Sequence, residues 1–234
     1  MDAWISFARG PLLIFTFAVC LLGVLRLLAL LAAEFIRAFR AAGNRAIPWK
    51  WILRQSLGWL VPVKALRLAR IPFTVASVLF HVAVFGVPMF FAGHVALVRR
   101  AFGISWPSLP GGPADFLTLT ACVALATLLL LRFFDRSAKG MSTFQDWLLP
   151  VLCLLAFSSG YFAAHPEGSP LPFSAAYLAH LLSSELLLML FPFTKLAHAV
   201  LFPFTRFAWE LGWHFVPGAG ERVRIALGKE GQPV

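Results

Sequence analysis

From Pro11 to Ile36 the chain is apolar at almost every position, and similar runs recur near 73–98, 115–133, 147–164 and 174–203. Each comes near or exceeds the roughly 20 apolar residues needed to cross a hydrocarbon core about 30 Å thick. No water is present there to satisfy open backbone groups, so the spans must be helices or a closed barrel. A barrel would alternate polar and apolar positions within ten-residue segments, whereas these runs are apolar throughout. The reading is an all-α integral membrane protein, a single membrane domain over residues 1–234 built from a bundle of five transmembrane helices. With 60% hydrophobic residues and a mean hydropathy of +0.82, the composition lies outside the range of water-soluble domains. The first segment has Asp2 and Arg9 before its apolar run and no convincing cleavage site, so it is read as retained.

The net charge of +10 does not point to nucleic acid, because the basic residues flank the spans instead of forming a stripe on a soluble module. The connection 37–70 holds Arg37, Arg40, Arg45, Lys50, Arg54, Lys64, Arg67 and Arg70 with no acid. Alternation puts Arg132, Arg136 and Lys139 on that same side, with Arg206, Arg222, Arg224 and Lys229 of the tail 204–234. The other side holds Arg9, Arg99 and Arg100, so the count is fifteen against three. By the positive-inside rule this sets the N-terminus outside and the C-terminus in the cytoplasm, as for a multi-pass protein of a cell inner membrane. Within the connection, the Trp, Leu and Lys/Arg mixture from Ile47 to Arg70 suits either a helix lying among the headgroups or a docking surface for a partner subunit.

Cys20, Cys122 and Cys153 lie singly in separate apolar runs, which excludes a disulfide framework, an iron–sulfur cluster or a zinc cluster. No C-x-x-C-H occurs, so any haem must be b-type. Four of the six histidines fall inside spans: His81 and His94 in the second, His180 and His198 in the fifth. Ionisable groups at that depth are costly and mark functional sites by default. Two on each of two helices is what bis-histidine ligation of two haems requires, with one imidazole on each side of each iron.

On one continuous helix His180 and His198 are five turns and about 27 Å apart on one face. His81 and His94 end about 140° apart on an ideal helix, so a kink at Pro88 must re-aim His94. Antiparallel spans then pair His81 with His198 and His94 with His180. Gly93 and Gly86 offer either a close approach for a flat macrocycle or ordinary helix packing. Lys195 and Arg206 suit haem propionates or lipid headgroups equally. Glu185, between the fifth-span histidines, should face the bundle, either carrying a proton or bonding a neighbouring helix. His165 and His214 fall at the membrane edges.

FHVAVFGVPMFFAGH, Phe80 to His94, and HLLSSELLLMLFPFTKLAH, His180 to His198, resemble the second- and fifth-helix patterns of the gamma subunit of respiratory nitrate reductase and its relatives, including membrane subunits of heterodisulfide-reductase-like complexes. The resemblance implies a dihaem cytochrome b, with a distal haem on His94 and His180 near a quinol site and a proximal haem on His81 and His198. It also implies electron flow between quinol and iron–sulfur clusters of a cytoplasmic partner, so the chain is a subunit and not a complete enzyme. Two differences stand out: the second-helix spacing is longer by about one turn, and Asp115 occupies the start of helix three where the family has a lysine. The competing classes are a transporter relaying protons or metal ions, and a haem-free anchor for a soluble enzyme.

Overall fold

The computed structural model describes residues 1–43, 47–58 and 71–231. Arg45, Lys64, Arg67 and Arg70 of the basic connection lie outside these residues. All regular structure among the described residues is helical. Five helices are long and apolar enough to cross a membrane: Asp2–Ala41, Ile71–Phe90, Gly111–Phe134, Phe144–Ala164 and Phe173–Phe193. Their outward faces carry large apolar side chains such as Ile14, Leu22, Phe116, Val123 and Phe134, all exposed. Such continuous apolar surface suits lipid and not water.

The chain divides into two compact units. The first comprises Met1–Cys20 and Arg67–Thr194, the second Leu21–Leu66 and Lys195–Val234. We number the helices α1 (Asp2–Ala41), α2 (Trp49–Gly58), α3 (Ile71–Phe90), α4 (Ala92–Phe102), α5 (Gly111–Phe134), α6 (Arg136–Gly140), α7 (Phe144–Ala164), α8 (Phe173–Leu190), α9 (His198–Phe215) and α10 (Ala219–Ala226).

In the first unit α3 packs on α5, α5 on α7 and α7 on α8. The core is made of small or slender side chains, Ala83, Val87, Ala121, Leu125 and Cys153, with Phe157, so the helices approach closely. Gly86 belongs to this packing, since a Cβ there would lie 3.3 Å from Leu117. The start of α7 is set by Thr143 and Asp146, whose carboxylate accepts the Thr143 backbone N–H at 2.8 Å in a capping box.

The second expected span is broken. Phe91 takes an extended conformation (φ −65°, ψ 131°) and separates α3 from α4. Pro88 has already removed one donor from the last turn of α3. The carbonyls exposed by the break find partners in the following loop: the Trp106 indole donates to Met89 O at 2.7 Å and the Leu109 N–H to Phe90 O at 2.8 Å.

The fifth expected span, 174–203, requires correction, because α8 stops at Leu190 and α9 starts afresh at His198. Pro192 cannot donate to Leu188 O and its ring crowds that carbonyl. A short 3₁₀ turn, Phe191–Phe193, and an extended Thr194 (φ −126°, ψ −176°) follow, with Thr194 Oγ1 donating to Leu190 O at 2.9 Å. The five-turn argument for His180 and His198 therefore does not apply.

In the second unit α2 packs on α9. Ile52 and Leu211 are fully buried, and aromatic rings close the unit: Phe35 meets Phe39, Phe207 and Phe215, while Trp49 stacks on Phe207. Gly43 makes the return possible, for its N–H donates to Phe215 O at 3.1 Å and a Cβ there would lie 2.9 Å from Pro217.

Candidate haem-ligating site

His180 projects from α8 onto α7. Its Nδ1–H donates to the Ala156 carbonyl at 2.9 Å. The ring reaches that carbonyl only because residue 160 has no side chain: a Cβ on Gly160 would sit 2.8 Å from Nδ1 and 3.0 Å from Cε1. With Nδ1 committed to a backbone carbonyl, the neutral ring carries its lone pair on Nε2, the arrangement typical of a metal-binding imidazole.

The His94 ring lies parallel to that of His180, with 13° between the planes and 6.1 Å between centroids. A metal held between two imidazoles needs bonds of about 2 Å. Adding roughly 1 Å from each nitrogen to its ring centre gives about 6 Å between ring centres when the two nitrogens face each other across a metal, which is close to the separation of this pair. His94 Nδ1 is buried and has no hydrogen-bond partner among the described residues. The break at Phe91 is what directs His94 this way, and the Phe91 ring then meets the His94 ring edge-on with centroids 5.4 Å apart. The structure thus brings these two histidines together.

The remaining candidates are distributed differently. Gly93 does not leave an open face, since the Phe91 ring fills its side and a Cβ would come within 2.9 Å of it. His81, half-buried on α3, donates from Nδ1 to Ser77 O at 2.6 Å. His198 is exposed at the start of α9 and donates from Nδ1 to Lys195 O. His81 lies in the first unit and His198 in the second. Lys195 sits in the turn before α9, while the Arg206 guanidinium lies over the rings of Phe202 and Trp209, at 5.3 and 5.8 Å from their centroids. The cysteines are free thiols, and no group of three or more His, Cys, Asp or Glu suited to a metal ion occurs among the described residues.

Two features escaped the sequence reading, and a third was foreseen in part. Gly160 looked like any glycine in an apolar helix. His165, taken as an edge residue, places Nε2 3.2 Å from the Asp115 carboxylate. Glu185, expected to face the bundle, is 3% exposed, and neither of its oxygens has a hydrogen-bond partner among the described residues. Only the polarity of Glu185 inside an apolar run signalled it in advance.

The sequence matches no family model and no solved structure. A protein of Nitratidesulfovibrio vulgaris strain Hildenborough, described by the single word "Protein", is 36% identical over 162 residues, which is 69% of this chain and 70% of that one. The two chains belong to one family. That description states no activity, so the kinship carries a shared fold and leaves the function to the chemistry of the site.

Proposed function

We propose that the chain is a haem b-binding membrane subunit that passes electrons between the membrane quinone pool and iron–sulfur clusters of a cytoplasmic partner. The single observation behind this reading is the parallel His94–His180 pair at 6.1 Å, with His180 fixed through Ala156 and Gly160. In this reading His94 and His180 hold one haem b, while His81 in the first unit and His198 in the second remain further candidate ligands. Lys195 and Arg206 lie on the His198 side in sequence and would neutralise propionates. When bound, haem supplies one-electron exchange at its iron, at a potential set by its ligands and surroundings. The protein's own work is to orient the imidazoles, fix the His180 tautomer and exclude water with the Ala83–Leu125–Phe157 core. The five spans would sit in a cell inner membrane with the N-terminus outside, placing His94 and His180 toward the outer face.

A second reading, an intramembrane proton carrier, draws on the buried and unpartnered Glu185. One experiment separates the two: a reduced-minus-oxidised absorption spectrum of the purified chain together with its haem:protein ratio. A ratio near two is expected, and a colourless protein would sink the electron-transfer reading.

A further inference from the structure

The helix that follows the fifth span, α9, has two faces with different surroundings. On one, Phe207 stacks on Trp49 and meets Phe35, Phe215 meets Phe35 and Phe39, and Leu211 is fully buried. This face is used up by packing within the second unit. On the other, Ala208, Trp209, Gly212 and Val216, with Ala219 of α10, line a groove of about 530 Å³. Trp209 is 72% exposed there, and a Cβ added to Gly212 would meet nothing within 4 Å. Apart from the Trp209 indole, these side chains offer neither a donor nor an acceptor.

Arginines stand beside two of the lining residues. The Arg206 guanidinium lies 5.8 Å from the centroid of the Trp209 ring and 5.3 Å from that of Phe202. The exposed Arg222 donates at 3.4 Å to the carbonyl of Pro217, the residue after Val216. Glu210 and Glu221 are near in sequence, yet the second unit as a whole carries Lys and Arg in large excess over Glu and has no Asp. A guanidinium has five N–H donors in a planar fork, more than one protein partner takes up, and the fork suits phosphate oxygens. A peptide strand laid in the groove would leave its backbone polar groups unmatched, whereas an acyl chain has none. The tail from 204 also follows the last span on the side assigned to the cytoplasm, where the leaflet is anionic.

We propose that this groove binds an anionic phospholipid, with one acyl chain along Trp209, Gly212 and Val216 and the phosphate at Arg206. Arg222 adds to the attraction. Occupancy does not require bound haem, and it gives Arg206 to the lipid, leaving Lys195 as the cation for a propionate.

The test places the full chain in nanodiscs of equal parts phosphatidylglycerol and phosphatidylcholine and counts the lipids it retains in native mass spectrometry. The parent should retain one phosphatidylglycerol in preference to phosphatidylcholine by about five-fold or more, as expected for a nearby Arg at an anionic surface. Gly212→Leu puts a side chain into open groove space and favours the helix, so helix content should hold while the retained lipid is lost. Arg206→Gln should still retain a lipid but without preference, and Arg206→Lys should keep most of it. Equal retention of the two lipids by the parent overturns the site, as does an undiminished preference in Arg206→Gln or in Gly212→Leu. An Arg206→Gln chain that keeps the preference and loses haem returns this cation to the propionate and likewise overturns the lipid assignment.

Discussion

The imidazole of His180 is held by a carbonyl it reaches and by a side chain that is missing. Both come from α7, at Ala156 and Gly160. Gly160→Ala improves helix propensity by about 1 kcal/mol, yet its Cβ would fall 2.8 Å from Nδ1. The ring must then leave the Ala156 carbonyl. We expect haem affinity at this site to fall by about 10- to 100-fold, the usual cost of losing an outer-shell partner, while helix content is retained. Haem titration beside circular dichroism checks it, and unchanged affinity would refute the role given to Gly160. Glu185 calls for the opposite kind of substitution. A buried carboxyl with no partner opposes folding by about 1–3 kcal/mol; Glu185 has none among the described residues, so Glu185→Leu should raise the thermal midpoint in detergent. A lowered midpoint would show that the carboxyl has a partner in the working protein. His94, His180 and Glu185 were visible in the sequence because a polar residue stands out in an apolar run. Gly160 was not, since its meaning comes from a ring on another helix.

Prolines guided the element-level reading only in part. The bend required to re-aim His94 is present, but it falls at Phe91, three residues past Pro88. Its position depends on Trp106 and Leu109, which satisfy the Met89 and Phe90 carbonyls from a loop that no local pattern links to α3. Pro192 carried the same warning in the fifth span, yet the apolar run continued through it and the sequence reads as one helix. Apolar periodicity reports burial and not continuity of hydrogen bonding, so a break capped by its own turn leaves the pattern intact. Trp106→Phe keeps the ring and removes the donor to Met89, a loss of about 1 kcal/mol. Backbone amides of α4 should then exchange hydrogen several-fold faster, with α5 and α7 unchanged. Equal exchange in both proteins would mean that the indole bond does not secure the break.

At the scale of the whole chain, the five spans follow from hydrophobic length alone, and all five recur as helices. The division into two units was not legible, because α1, 40 residues and about 60 Å long, contributes its first part to one unit and its second to the other. Nothing in an uninterrupted apolar helix marks the point where its neighbours change. Charge does carry information at this scale. Arg37, Arg40, Lys50, Arg54, Arg206, Arg222 and Arg224 flank one set of span ends together with Arg132, Arg136 and Lys139, whereas Arg9, Arg99 and Arg100 flank the other. Lys/Arg excess next to short loops holds a segment in the cytoplasm, so residues 37–58 and the tail from 204 should lie inside, and the loop between α4 and α5 outside. A cysteine placed at Ser108 should react with a membrane-impermeant maleimide in intact cells, and one placed at Lys229 only after lysis. The three native thiols all lie within apolar helices and supply little background. The reverse labelling pattern would invert the topology, carry the His94–His180 pair to the cytoplasmic face and remove the case for electrons entering there from outside.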